Sequence, residues 1–422
     1  MHPKALLEAC ADLVAQALRF DHPADAVVSR YFRENRSLGP RERATLAETT
    51  YAVLRRKLLF EHLAQSGSGP RERRLAILGF AGPRDFLQGA LSEQEKASID
   101  HCDAVDVAAL PERMRHNLPD WLAEALKAQL GTDFWPLVEA LDQLAPLDLR
   151  VNTLTDKREE VKRELELAGI RSQPTPYSPW GLRIAGKPAL TKLDAFARGA
   201  IEVQDEGSQL LALLTDARRG QMVVDFCAGA GGKTLALGAA MRNTGRLYAF
   251  DVSAHRLDNL KPRLARSKLS NVHPAAIAHE RDERIKRLAG KIDRVIVDAP
   301  CSGLGTLRRN PDLKWRQSPQ ALAELTAKQG AILASAARLL KDGGRIVYAT
   351  CSLLRAENED IAAAFSDAHP GFRRLAVGEL LEQAKVPQAA SLCTADGLDL
   401  RLWPHRQGTD GFYAAAWEKV QG

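Results

Sequence analysis

A doubly wound α/β sheet, preceded by a small α+β segment and an all-α N-terminal domain, is the fold class this sequence predicts. Three observations carry it. From about residue 203 onward, strand-like apolar runs alternate with helix-like stretches. Between about 145 and 200, two short β-like pieces flank one helical stretch, and over residues 1 to about 130 apolar residues recur at helical spacing. The expected division is an all-α domain over 1–130, an α+β linker domain over 145–202 and a ligand-binding sheet domain over 203–422.

The elements follow in order. "LLEACADLVAQAL", "ERATLAETTYAVLRRKLLF" and "LPDWLAEALKAQL" carry the helical period, broken by "SGSGP" and "FAGP". "LDLRVNTL" and "WGLRIAG" then flank the helical "KREEVKRELELAGI". Next come helix "DEGSQLLALLTDA", strand "MVVDF", a glycine loop and its helix, strand "RLYAFD", helix "AHRLDNLKPRLARSK" and the short strand "AAIA". Strand "RVIVDAP", a long helix over about 318–340, strand "RIVYAT" and a last helix complete the alternation. The tail "LDLRLWP" and "GFYAAAWEK" reads as two more strands adding an antiparallel edge. In such a sheet, ligands bind at the carboxyl ends of the strands.

Composition excludes several classes. At 422 residues, 45% hydrophobic and 27% charged, the chain is ordinarily globular and long enough for two or three domains. No apolar run reaches the eighteen or so residues of a membrane span, and the opening "MHPKALLEACADLVAQALRF" reads as an amphipathic helix, so a cytoplasmic location without membrane contact is expected. Six cysteines, at 10, 102, 227, 301, 351 and 393, make neither a CxxC pair nor a dense framework; disulfides and a metal site are not expected. The net charge of +6 points toward a nucleic-acid partner. Eleven Lys or Arg stand against five Asp or Glu from Arg256 to Arg294, a bias that solvated helix faces would also produce.

Chemistry concentrates at three strand exits. In "VVDFCAGAGGKTLAL", glycines at a strand-to-helix turn let backbone approach a ligand, and the helix amide end accepts its polar groups. A phosphate-binding loop would need glycine where Cys227 stands, and a dinucleotide fingerprint would need glycine where Thr234 stands. What remains is the acid-then-glycine arrangement of methyl-donor binding, beside a purely structural strand-to-helix turn or a site for another nucleotide. Asp225 lies at the strand end, and Asp251, twenty-two residues beyond Gly229, can hold ribose hydroxyls. The other two exits each carry a Cys-Ser pair, Cys301 in "VDAPCSGLG" and Cys351 in "YATCSLL". Most free cysteines are small buried hydrophobes, so the flanks decide.

Those flanks carry a resemblance. "DFCAGAGGKT", "FDVSAHRL", "VDAPCSGLGTLRRNPDLKW" and "YATCSLLRAENE", with "LRVNTL", "VQDEGSQL" and "DGFYAA" around them, resemble the Sun/RsmB/Nop family of RNA cytosine-5 methyltransferases over residues from about 145 to 420. "LGPRERATLAETTYAVLRRKLL" resembles the NusB-like helical RNA-binding domain of the bacterial RsmB branch. The resemblance implies a Rossmann-like methyltransferase domain over 203–422 that uses S-adenosylmethionine. Cys227, Ala228, Gly229, Ala230, Gly231, Gly232, Lys233, Asp251, Arg256 and Asp298 would form the cofactor site. Carbon 5 of cytosine is a poor nucleophile, so a thiolate must first add to carbon 6. The resemblance gives that role to Cys351 and product release to Cys301, with Asp298 against the amidine edge of the base. It implies ribosomal small-subunit RNA as partner and a monomeric enzyme. A transfer-RNA cytosine methyltransferase and a non-catalytic RNA-binding assembly factor are the alternatives; a DNA cytosine methyltransferase would attack with the "PC" cysteine instead.

Two departures and one RNA feature complete the reading. Gly229-Ala230 stands where the family has Ala-Pro, and His279 stands near the family's acid after the third short strand, with Glu280 or Asp282 as replacements. A target cytosine must be unpaired or flipped to meet a thiolate. "LRRNPDLKWRQ" supplies Arg308, Arg309, Lys314 and Trp315, read as a basic and aromatic loop for backbone and stacking contacts.

Overall fold

The computed structural model describes residues 1–420. They form two compact units: Met1–Leu144 with Thr306–Pro319, and the remainder, from Ala145 to Gly305 and from Gln320 onward. The expected 203–422 domain is thus interrupted at 306–319, and residues 145–202 fall in the same unit as the large sheet.

The first unit is helical, with Pro3–Ala17, Ala24–Glu34, Pro40–Arg55, Arg71–Leu78, Glu93–Asp103 and Asp120–Leu130 among its helices. Pro3 and Pro40 open their helices, where a missing N–H costs nothing. Ser92 and Glu95 cap Glu93–Asp103 reciprocally. Leu7, Leu13, Leu46, Leu54 and Leu75, the apolar positions of the helical period, are fully buried in its core.

The second unit holds two sheets. The smaller joins β1 (Leu147–Val151), β2 (Ser172–Pro174), β3 (Gly181–Ile184) and β4 (Ile201–Val203) in the antiparallel order β2-β3-β1-β4. Val161 and Leu165 of helix Arg158–Leu167 pack on its Leu149, Val151 and Leu182. The larger sheet contains β5 (Met222–Asp225), β6 (Arg246–Asp251), β7 (Val272–Ala276), β8 (Ile292–Asp298), β9 (Leu340–Thr350), β10 (Phe372–Leu375), β11 (Leu400–Leu402) and β12 (Phe412–Lys419). Its order is β10-β12-β9-β8-β5-β6-β7, with β11 paired to β12.

Strands β5 to β9 run parallel, and β12 and β10 add the antiparallel edge. Val295, Ile296 and Val297 of β8 and Ile346, Val347, Tyr348 and Ala349 of β9 are all fully buried. Strands covered on both faces need apolar residues at every position, which is why these read as continuous runs. Strand β7 starts at Val272, earlier than the expected "AAIA", and the helix expected to reach 340 ends at Ala337 because Leu340 already pairs with Ile292. From β5 the chain builds outward to β6 and β7 on one side and to β8 and β9 on the other. The loops that follow β5 and β8 therefore diverge, and a crevice opens between them. Among the described residues no helix is long and apolar enough to cross a membrane.

Candidate active site

The crevice is a cavity of about 880 Å³ at the carboxyl ends of β5, β6, β8 and β9. At the end of β5, Asp225, 1% exposed, accepts a 2.7 Å hydrogen bond from Thr234 Oγ1. Burial pushes this carboxyl up to about 7. The loop beyond it turns through two left-handed glycines, Gly229 (φ 54°) and Gly231 (φ 84°). A Cβ on Gly231 would lie 2.1 Å from Leu260 Cδ1, so only glycine lets the loop settle on the helix Ala254–Ser267. Cys227, Ala228, Gly229, Ala230, Gly232 and Lys233 line the cavity, and Gly231 shapes the turn between them.

Asp251, at the end of β6, holds this loop. Its Oδ2 accepts from Gly229 N at 2.8 Å and its Oδ1 from Ser253 N at 2.7 Å. Each oxygen keeps a lone pair for a ligand hydroxyl. Val252, 57% exposed, and Arg256 lie beside it on the cavity wall. Ile277, Ala278, His279 and Glu280 supply the wall after β7. Of the two replacements considered for the third-strand acid, Asp282 is spent on capping, accepting from Ala278 N and Arg284 N, whereas Glu280 lines the cavity.

The other end of the cavity lies after β8 and β9. Lys233 Nζ donates to Asp298 Oδ2 at 2.7 Å. Burial pulls the Lys233 ammonium down, but the charge and hydrogen bond of Asp298 more than offset it, leaving the group above its ordinary value. Among the described residues Asp298 Oδ1 has no hydrogen-bond partner, so it can accept from a ligand. Cys301 Sγ and Cys351 Sγ stand 3.4 Å apart as free thiols. The hydrogen bond with Cys351, burial and the nearby Glu357 push the Cys301 thiol well up. Cys227 is also raised, by burial and then by Asp298. Either thiol of the pair can donate the hydrogen bond between them.

The basic and aromatic loop belongs elsewhere. Arg308 and Lys314 are 6% and 5% exposed within the helical unit, and Lys314 Nζ donates to Arg55 O at 2.7 Å. Trp315 Nε1 donates to Leu54 O at 2.7 Å, and Arg55 Nη2 donates to Arg308 O at 2.8 Å. Arg309 is half-buried. These groups fasten residues 306–319 to the helix Pro40–Arg55 and bury Arg308 and Lys314, the packed arrangement of Trp315 that a structural reading of this loop also allowed. Sequence reasoning also missed Lys328 and Ile332, which line the cavity from the helix Pro319–Ala337. Nothing in an amphipathic helix marks one turn as facing a ligand.

Comparison with known proteins agrees with this geometry. Residues 212–418 match the family described as 16S rRNA methyltransferase RsmB/F, and residues 118–191 match the ferredoxin-like domain of RsmF/B-like methyltransferases. The probable ribosomal RNA small subunit methyltransferase B of Synechocystis sp. is 31% identical over 95% of this chain and 96% of its own length. Its counterpart in Bacillus subtilis is 30% identical over 81% of this chain and 75% of its own length. The solved structure of PH0851 matches with a TM-score of 0.82 at 26% identity, covering 99% of both chains. The crevice, its glycine loop and its two strand-end cysteines thus sit in a chain that belongs to the RsmB/F family of 16S rRNA methyltransferases.

Proposed function

We propose that this chain transfers a methyl group from S-adenosylmethionine to carbon 5 of a cytosine in 16S ribosomal RNA, through a covalent adduct with Cys351. The observation that carries the reading is the thiol pair, 3.4 Å apart, on the same cavity as the Lys233–Asp298 ion pair. Membership of the family supports the RNA class.

The cofactor side fits. The left-handed turn at Gly229 has open space where a side chain would stand, and Asp251 has acceptor capacity left for ribose hydroxyls. The backbone from Cys227 to Lys233, with Asp251 and Arg256, would hold the cofactor; Val252 and Ile277 offer apolar surface to its base. When bound, S-adenosylmethionine supplies an electrophilic methyl group on a sulfonium centre.

The remaining steps belong to the protein's own side chains. A flipped cytosine would present its amidine edge to Asp298, and a carboxylate there stabilises positive charge on the ring. The Cys351 sulfur adds to carbon 6, and the electron pair displaced from the 5,6 double bond makes carbon 5 nucleophilic. After transfer the carbon 5 proton passes to solvent water, its bonding pair re-forms the 5,6 double bond, and the carbon 6–sulfur bond breaks with its electron pair returning to Cys351. Cys301, whose sulfur lies 3.4 Å from that of Cys351, would donate a hydrogen bond that supports the departing thiolate.

Cys351→Ala should therefore abolish transfer without forming an adduct, while Cys301→Ala should attack, methylate and stall, leaving protein and 16S rRNA joined through denaturing electrophoresis. An adduct in the Cys351 variant and none in the Cys301 variant would reverse the roles. Bisulfite sequencing of 16S and transfer RNA, with and without the protein, identifies the methylated nucleotide; a change confined to transfer RNA would overturn the substrate.

A further inference from the structure

Both reactive cysteines are followed by serine, and the chemistry above uses neither serine. Ser302 and Ser352 are 1% and 0% exposed, and their hydroxyls lie 3.2 Å apart behind the thiols. Both converge on one carboxylate. Glu357, fully buried, accepts from Ser302 N at 2.7 Å and from Gln329 Nε2 at 3.0 Å through Oε1. Its Oε2 accepts from Ser302 Oγ at 2.5 Å and from Ser352 Oγ. Gln329 Nε2 also donates to Pro300 O at 3.0 Å, and Gly305 N to Cys351 O at 2.8 Å. The backbone on each side of Cys301 and the residue after Cys351 are therefore tied to one acid that touches neither sulfur.

A buried carboxylate is costly unless donors surround it, and a fold has no stability reason to gather four donors here when apolar residues would pack as well. We propose that Glu357 is a positioning residue, which through Ser302 and Ser352 fixes the loops of Cys301 and Cys351 so that the two sulfurs meet at reacting distance. The proposal rests on the two-thiol reaction assigned above. The donors differ in a way that makes it testable. Ser302 N and Gln329 Nε2 can only donate, so Oε1 must remain an oxygen; the two hydroxyls on Oε2 can turn and accept. Glu357→Gln, with its oxygen toward Ser302 N and its amide toward the hydroxyls, preserves the tie and removes the charge. Glu357→Ala removes the tie.

Single-turnover methyl transfer to 16S rRNA should fall on the order of a hundredfold in Glu357→Ala, the scale of a misplacement of about 1 Å. The Michaelis constants for RNA and S-adenosylmethionine should hold, and Glu357→Gln should recover most of the rate. A second readout does not depend on the reaction. Diamide oxidises two adjacent thiols to a disulfide and is itself reduced to a hydrazine, so Cys301–Cys351 cross-linking reports their approach. It should be fast in wild type and Glu357→Gln, and slow in Glu357→Ala and in the milder Ser302→Ala, which serves if the first variant fails to fold. Equal cross-linking in all four proteins, equal losses of rate in the alanine and glutamine variants, or a change confined to the Michaelis constants would overturn the positioning role. A wild-type protein that cross-links but transfers no methyl group would sink the reaction and leave the tie standing.

Discussion

Asp251→Ala separates the loop-holding that the structure shows from the ribose contact proposed for the same carboxylate. In the free protein Asp251 accepts from Gly229 N and Ser253 N, at 2.8 and 2.7 Å, and the residue is only 5% exposed. Hydrogen bonds to a charged acceptor contribute about 1.5–3 kcal/mol each, and the glycine loop is partly open, so the lower end applies. Losing both should loosen the loop by roughly 3 kcal/mol, which raises amide exchange on it by roughly two orders of magnitude where opening limits exchange. Cofactor binding should then weaken by the lost ribose contacts and by the cost of reordering the loop, tenfold for each 1.4 kcal/mol or so. Asp251→Asn keeps one acceptor oxygen and turns an amide toward the other N–H, so it should fall between. Hydrogen exchange on the peptide spanning 226–234 and calorimetric titration with S-adenosylmethionine read the two effects separately. A variant with wild-type affinity and an intact fold would remove Asp251 from the cofactor site; wild-type exchange would mean that it does not hold the loop.

Three further outcomes follow from buried groups. Burial holds the Asp225 carboxyl up at about 7, so the folded protein binds a proton that the unfolded chain releases near 4; stability is fully present below pH 4 and falls as pH rises to 7, by up to about 4 kcal/mol. Asp225→Asn should flatten that slope in urea titrations across this window, and an unchanged slope would assign the dependence elsewhere. Gly231→Ala should cost about 1–2 kcal/mol for the left-handed backbone alone, and Leu260→Ala in the same chain should relieve only the clash; full recovery by the second change would refute the backbone argument. Lys314, pulled down to about 7 by burial and then by the charge of Arg55, stays charged in the unfolded chain up to about 10, so stability should rise with pH between those values. Lys314→Met should abolish that rise and leave the salt dependence of RNA binding unchanged, whereas a slope reduced by about one would restore Lys314 as a phosphate contact.

The parts of the site that read clearly in the sequence are those whose function and neighbours lie within one short stretch. The glycine loop, Asp251, Asp298 and both cysteines each sit at the end of an apolar run, and an apolar run that stops in an acid, a glycine or a cysteine marks a strand exit by itself. The alternation of runs likewise exposed the parallel sheet and its antiparallel tail. What was hidden depends on partners far along the chain. "LRRNPDLKW" has the composition of a solvated nucleic-acid loop, and only the meeting of Lys314 with Arg55 O, 259 residues away, shows that it is packed. The edge strand Phe372–Leu375 carries two arginines in four residues and has no apolar period to announce it. Glu357 sits in "RAENE", where an acid reads as the first turn of a helix, and four donors from three segments give it a different use.

The distance between the two thiols follows from the sheet, not from the fifty residues that separate them. Strands β8 and β9 are parallel neighbours in a register that sets Asp298 opposite Ala349. Parallel neighbours lie about 4.8 Å apart, so residues a similar step beyond that pair emerge side by side. Cys351 comes two residues after Ala349 and Cys301 three after Asp298, with Pro300 between them in the longer exit. The crossover that joins the strands can therefore vary in length without moving the sulfurs, and in this chain it carries the segment Thr306–Pro319 into the helical unit. A one-residue slip of β9 against β8 would not be tolerated in the same way: it would carry Cys351 about 3.3 Å along the strand and break the contact. The same register brings Ser302 and Ser352 together one residue further on, which is why a single carboxylate can reach both.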